Sequence, residues 1–262
     1  VIKHIDMYKL INYNVNRILK SKNLGIEKFF CAQGGFCTMM GQYVEKFEEK
    51  VWEFGDEITE NLDYSIVNDS FLFKIYHRVL DIILSLIGLV ISIPILIIFG
   101  LLIKKEDGGP IFYKQDRLGK DGKLIFIYKL RSMKINAEIN GAVWAEKNDP
   151  RITKVGKFIR KTRIDEIPQF LNILKGEMSI IGPRPERPTL TMEFNEKIPG
   201  FINRLVVKPG LTGYAQVHGG YEISPEDKIK EDLYYIKNRS LLLDLSILLK
   251  TVRVVLTGEG AR

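Results

Sequence analysis

Asp165 and Glu166 stand side by side between a basic run and a proline, in RKTRIDEIPQF at 160–170. The stretch before them, RITKVGKFIRKTR at 151–163, holds Arg151, Lys154, Lys157, Arg160, Lys161 and Arg163 and not one acid. Adjacent carboxylates can share one Mg2+ with a phosphate, and an aspartate can attack phosphorus as a nucleophile. An acid ahead of a helix also caps it, for about 1 kcal/mol. The cations around this pair are what favour chemistry over simple capping. Pro168 is tolerated only in a first turn, where N–H groups lack partners. The spacing therefore predicts a helix that starts near Asp165 or Glu166 and ends before Gly176, a suitable left-handed terminator. Ile167, Phe170, Leu171 and Leu174 would form its apolar stripe. Both carboxylates would then lie at the positive end of the helix dipole, a ready anion site. Asp165 beside Arg160 is expected to be fully ionised.

A second cluster follows in GEMSIIGPRPERP. Two prolines around Arg184 fix the backbone on both sides of it, with Arg187 close behind. VKPGLTGYAQVHGGY adds a glycine-rich loop with Lys208 and His218, and a lone histidine there is expected to be a surface or hydrogen-bonded residue. Upstream, GGPIFYKQDRLGKDGKLIFIYKLRSM reads as a hairpin. Its β-prone runs, 111–113 and 124–128, flank an Asp121-Gly122 turn, and Arg117, Lys129 and Arg131 lie along it. Residues 141–150 read as loop.

The elements that must position these residues begin with VLDIILSLIGLVISIPILIIFGLLI at 79–103. No charge falls between Ile82 and Ile103, and 22 such residues reach about 33 Å as a helix, enough for a bilayer core. Pro94 removes a backbone hydrogen bond near the middle, at about 3 kcal/mol. Lys74, His77 and Arg78 precede the segment and Lys104 and Lys105 follow it, so basic flanks give no orientation. A helix that bends at Pro94 and returns to the same face satisfies both facts; a proline-kinked span does so as well. Near the end, LLLDLSILLKTVRVVL is amphipathic, suited to core packing or a membrane interface.

The 262 residues suffice for a buried core. With 45% hydrophobic and 27% charged residues the chain is not disordered. A net charge of +7 and a pI near 9.2 favour anionic partners. Cys31 and Cys37 are too few for a disulfide framework and lack zinc-site spacing. The opening VIKHIDMYKL scatters its charges and shows no signal peptide, and a start at Val1 reads as a fragment or processed form. Residues 1–70 are mostly polar, with Tyr43, Val44, Phe47, Val51 and Phe54 at near-helical spacing and no chemistry of their own.

Taken in order, these pieces resemble the bacterial sugar transferase family, the monotopic polyprenol-phosphate phosphoglycosyltransferases. The resemblance covers residues 74–262 and rests on RVLDIILSLIGLVISIPILI, FYKQDRLGKDGKLIFIYKLRSM, RKTRIDEIPQFLNILKGEMSIIGPRPE, VKPGLTGYAQVHGG and DLYYIKNRSLLLDLSILLKT. It implies a mainly helical α+β, monotopic membrane protein with a proline-broken re-entrant helix, a small β-hairpin and interfacial amphipathic helices. The expected organisation is an N-terminal segment of unknown role at 1–70, the re-entrant helix at 71–105 and a cytosolic catalytic domain at 106–262. By resemblance, Asp165 and Glu166 are catalytic and hold Mg2+, Arg117, Lys129, Arg160 and Arg184 bind substrate, and Pro94 breaks the membrane helix. Ser92 stands one place further from Pro94 than the family's Ser-Pro pattern has it.

The implied reaction transfers a sugar 1-phosphate from a UDP-sugar to undecaprenyl phosphate. It yields the polyprenyl-diphosphate sugar and UMP as the first membrane step of a surface glycan. The implied place is the inner leaflet of the bacterial cytoplasmic membrane, with homo-oligomers left open. A membrane-anchored scaffold for anionic lipid is the alternative; it explains the charge but not the ordered motifs. A two-carboxylate glycosidase ranks below both, since adjacent acids do not flank a glycosidic bond. No motif supports nucleic-acid binding. The sugar and the glycan pathway are not encoded legibly.

Overall fold

The computed structural model describes residues 54, 58–135, 137, 149–219 and 223–257. Helix α1, Phe71–Asp107, is followed by an antiparallel pair, β1 (Phe112–Leu118) and β2 (Leu124–Leu130). Then come α2 (Lys154–Lys161), a 3-10 helix (Ile164–Gln169), α3 (Phe170–Lys175) and β3 (Ser179–Ile181). The chain closes with α4 (Pro188–Lys197), a further 3-10 helix (Phe201–Val206), β4 (Gly210–Thr212), α5 (Tyr214–His218), α6 (Pro225–Asn238) and α7 (Leu241–Thr257). The result is mainly helical with little sheet, as expected. Residues 141–148, Cys31 and Cys37, and most of the helical spacing noted at 43–54 lie outside the described residues.

The hairpin forms where the turn signal places it. Asp121 and Gly122 both adopt positive φ, 59° and 68°, the backbone twist that suits a tight antiparallel turn. Its strands run longer than their β-prone cores, with Leu118 paired to Leu124 and Phe112 to Leu130. Alternation puts Gln115, Arg117, Ile125, Ile127 and Lys129 on one face. The parallel pair β3–β4 has no sequence counterpart. It depends on glycines at 182 and 210, where the backbones approach so closely that a Cβ on Gly210 would fall 2.1 Å from the Gly182 nitrogen.

α1 is a single helix of 37 residues with Pro94 inside it. The expected break is thus not an interruption of the helix. Proline costs the one hydrogen bond that its missing N–H would make, and the turns on either side continue. Ser92 donates from Oγ to Leu89 O at 3.1 Å, so it bonds one turn back within the helix. Only 11% of the most apolar window of α1 is buried, whereas the core helix of a soluble protein is mostly buried. Ile83, Val90, Ile91, Ile97 and Leu101 are all exposed.

The opposite face carries a buried polar series, His77, Asp81, Ser85 and Ser92, at helical spacing. Asp81 Oδ1 accepts from Ser179 Oγ at 2.8 Å and from the Ile180 N–H at 2.7 Å. His77 Nε2 lies 2.7 Å from Asp244 Oδ2 on α7, and Tyr235 donates to the same carboxylate at 3.0 Å. Arg78 donates to the carbonyls of Ile173 and Leu174, both at 2.7 Å, capping α3. At the other end, Glu106 accepts from the N–H groups of Lys154 and Val155 at the start of α2. Arg131 clasps Asp107 through both guanidinium nitrogens at 2.5 Å. Both ends of α1 are therefore fastened to one soluble body.

The main core joins Leu118, Ile125, Ile127, Ile173, Ile181 and Ile247, and it does not begin at residue 71. Phe54, Ile58 and Leu62 belong to it. A smaller cluster of Ile103, Leu130 and Ile159 ties the end of α1 to β2 and α2. α7 packs into the core through Ile247, while Leu242, Leu245, Leu249 and Val252 on its other side are exposed.

Candidate active site

The acidic pair lies on the 3-10 helix, not on the expected α-helix. Arg163 before it adopts φ 58°, a left-handed conformation that costs a non-glycine residue about 1–3 kcal/mol and is held only by its surroundings. That turn ends α2 and carries Asp165 and Glu166 towards β2. A 3-10 helix turns every three residues, so the apolar stripe changes phase. Ile173 is fully buried and Leu171 exposed, the reverse of what 3.6-residue spacing from Ile167 predicts. Gly176 ends α3 at φ 83°, as expected.

Both carboxylates are buried, but their surroundings differ. Glu166 Oε1 accepts from Lys129 Nζ at 2.8 Å and from Arg184 Nη2, with Arg184 Nη1 3.4 Å from Oε2. Burial pushes this carboxyl up, but Arg184 and Lys129 outweigh it and hold the group well below the usual range. Glu166 in turn raises Arg184 above its ordinary value, while burial lowers Lys129. Among the described residues none donates a hydrogen bond to Asp165. Burial pushes Asp165 up to about 6, opposed by Lys129 and reinforced by the negative charge of Glu166. Arg160 acts on Asp165 only through space and loss of water outweighs it, so the carboxyl is raised and not lowered, yet it stays mainly ionised at neutral pH. Two neighbouring acids held at different protonation strengths are a common basis for distinct roles.

Of the anticipated residues, Glu166, Lys129 and Arg184 meet directly, while Asp165, next to Glu166 in the chain, feels both cations through space. Arg160, on α2, donates to Ser132 Oγ at 3.5 Å and adds positive charge near Asp165. Arg117 does not reach the acids. It donates to Pro185 O at 3.3 Å and Gln115 Oε1 at 2.6 Å and pairs with Glu186 at 3.6 Å. It holds the loop that carries Arg184. Arg151 pairs with Asp149, and Lys154, Lys157 and Lys161 are exposed, so the basic run divides. His218 is exposed and bonded to Tyr214 O, as expected.

Sequence reasoning missed Glu186. It pairs with Lys228, with Arg117 and, at 3.8 Å, with Arg204. Burial would raise it, but Lys228, Arg204 and Arg117 bring it down to about 2. Arg204 also pairs with Asp232 at 2.7 Å and donates to Arg184 O at 2.8 Å. This network fixes the backbone of the Gly-Pro-Arg-Pro loop from below. The only local signal was an acid set among the cations of RPERP.

Among the described residues no three of His, Cys, Asp and Glu gather into a cation cage. The acids that are present still suit Mg2+, which binds through one or two carboxylates and completes its shell with water and phosphate. Asp165 is the one of the two to which no described residue donates a hydrogen bond.

The profile of the bacterial sugar transferase family matches residues 72–258. Over 210 residues the chain is 46% identical to a UDP-N-acetylgalactosamine-undecaprenyl-phosphate N-acetylgalactosaminephosphotransferase of Aeromonas hydrophila, covering 79% of this chain and 49% of that protein. It is 59% identical over 128 residues to a putative undecaprenyl-phosphate N-acetylgalactosaminyl 1-phosphate transferase of Bacillus subtilis (strain 168), covering 49% and 72%. It is 40% identical over 196 residues to the exopolysaccharide production protein PSS of Rhizobium leguminosarum bv. phaseoli, covering 71% and 98%. The chain thus spans about half the length of the first of these relatives. The profile covers the membrane helix, the paired acids and the Arg184 loop alike, and the chain belongs to the bacterial sugar transferase family.

Proposed function

We propose that the protein transfers a sugar 1-phosphate from a UDP-sugar to undecaprenyl phosphate, as the first membrane step of a bacterial surface glycan. The observation that carries this reading is the divided acid pair: Glu166 locked between Lys129 and Arg184, Asp165 buried beside it with no hydrogen bond from the described residues. An oxygen of the Asp165 carboxylate attacks the phosphorus bearing the sugar, the phosphoanhydride bond breaks, and UMP leaves. An oxygen of undecaprenyl phosphate then attacks the same phosphorus. The acyl–phosphate bond breaks, the carboxylate returns, and polyprenyl-diphosphate sugar departs. Arg160 and Arg184 offset the charge of the diphosphate. Mg2+ held by Asp165 and Glu166 would supply further charge neutralisation.

The fastening of both ends of α1 to one soluble body supports a re-entrant helix, with the catalytic part on the cytosolic face. In a variant lacking native cysteines, cysteines placed at Asn61 and Arg262 should both label from that side. Labelling from opposite sides would restore a spanning helix.

The activity test is full-length protein in membranes with undecaprenyl phosphate, Mg2+ and a panel of UDP-sugars, read as UMP release. UDP-N-acetylgalactosamine heads the panel because two relatives are named for that sugar. Omitting the lipid should leave one equivalent of UMP and a labelled sugar phosphate on the Asp165 peptide, absent in Asp165→Asn. A ternary-complex rate pattern without adduct would overturn the covalent route. No UMP from any donor would favour the scaffold alternative.

A further inference from the structure

The family profile begins at residue 72, yet the residues just ahead of it are built into the soluble body. Ile58 is fully buried and lies against the turn of the hairpin, where a Cβ on Gly122 would stand 2.9 Å from Ile58 Cγ2. The Tyr64 hydroxyl donates to Oδ1 of the other turn residue, Asp121, at 2.7 Å. Between them, the Asp63 N–H donates to Asn203 Oδ1 at 3.0 Å, on the 3-10 helix Phe201–Val206. Ile66 and Val67 pack on the main core, and Asp69 accepts from Arg239 of α6 at 2.9 Å. One short segment thus fastens the hairpin turn to the 3-10 helix before the chain enters α1.

Those two elements are the supports of the Arg184 loop. From the hairpin, the Leu118 N–H donates to Glu186 O at 3.0 Å and Arg117 donates to Pro185 O at 3.3 Å. From the 3-10 helix, Arg204 donates to Arg184 O at 2.8 Å. The hairpin also carries Lys129, which bonds Glu166. Among the described residues β1 and β2 form a sheet of two strands, and such a sheet is only marginally stable without outside packing. Ile58 and Tyr64 supply that packing at its tip. Placement matters at this distance from the chemistry, because a shift of about 1 Å in a reacting array can cost about 100-fold in rate.

We propose that Ile58 and Tyr64 are positioning residues: the segment ahead of α1 braces the hairpin against the 3-10 helix and so holds Arg184 and Lys129 at the acid pair. The inference rests on the transferase reading above, but its test separates the two. Full-length protein in nanodiscs is mixed, without lipid, with the UDP-sugar selected by the panel above, and the rate and the amplitude of the first UMP burst are read separately. The double variant Ile58→Ala/Tyr64→Phe should slow the burst at least about tenfold, with its amplitude per folded molecule unchanged. Ile58→Val, which keeps the contact with the turn, should restore the rate when it replaces Ile58→Ala. Amide exchange at 118–124 and 201–206 should quicken in the double variant. A merely structural role would lower the amplitude through loss of folded protein and leave the rate of the remainder at the wild-type value, and that result would overturn the assignment. Unchanged exchange at both stretches would overturn it as well. Should the double variant fail to fold, Tyr64→Phe, which removes one hydroxyl, takes its place in both measurements. If the wild type releases no UMP from any donor, the transferase reading fails, and the exchange still reports whether the segment braces the hairpin and the 3-10 helix.

Discussion

Replacing Glu186 by glutamine should destabilise the protein by about 3 kcal/mol. Glu186, its side chain 12% exposed, packs against Lys228, Arg117 at 3.6 Å and Arg204 at 3.8 Å. Its carboxyl is held at about 2 against an ordinary 4.5, and at about 1.36 kcal/mol per tenfold in proton affinity this amounts to about 3 kcal/mol. An independent guide agrees: removing one partner of a buried ion pair costs about 3–5 kcal/mol, because the remaining charge is left in low dielectric. For a domain of about 150–250 residues, each kcal/mol moves Tm by about 2–4 °C, so the expected loss is about 6–12 °C. The assay is thermal unfolding of wild type and Glu186→Gln in the same detergent, followed by circular dichroism. Glu193→Gln is the control, since its pair with Lys197 is largely exposed and worth about 0–1 kcal/mol. Because the carboxyl is depressed in the folded state, its contribution is complete above about 4.5 and fades as pH falls towards 2. The difference between wild type and Glu186→Gln should therefore narrow in acid. A shift no larger than that of Glu193→Gln, or a gap that widens below pH 4.5, would refute the reasoning.

Glu166→Gln should lower UMP release by at least about 100-fold, since it weakens the charge array that faces the transferred phosphate; an unchanged far-ultraviolet spectrum with retained turnover would disprove its role. Asp81→Ala should loosen α1 from β3 by orphaning the Ile180 N–H and the Ser179 hydroxyl, at about 1–3 kcal/mol each. Faster amide exchange at 179–181 checks this, and Asp81→Asn, which keeps an acceptor, should be milder. Gly176→Ala should cost about 1 kcal/mol because φ there is 83°, which a Cβ tolerates poorly; no fall in Tm would contradict it.

Much of the site was legible because its information is local. Asp165 and Glu166 are neighbours in the chain, the prolines around Arg184 stiffen it wherever it lies, and Asp121-Gly122 makes its turn from its own backbone preferences. The apolar run of α1 announces a membrane segment by hydropathy alone. Local patterning misled where phase mattered. The 3-10 geometry at Ile164–Gln169 follows from the left-handed Arg163 and its packing, and it rotated Ile173 inwards and Leu171 outwards.

Other features come from pairings between distant residues, which no local pattern encodes. His77 meets Asp244 across 167 residues and Glu186 meets Lys228 across 42. The three-residue strands β3 and β4 exist only because Gly182 and Gly210 let two backbones touch. The raised proton affinity of Asp165 is of the same kind: sequence places Arg160 nearby, but only the folded body removes the water that lifts the carboxyl to about 6. The sequence by itself determined which groups were available and which segments prefer water or lipid, since charge, hydropathy and backbone preference belong to each residue. Tertiary structure decided which charges face one another and how dry they are, because electrostatic strength depends on distance and solvent exclusion, and those arise only when remote segments pack.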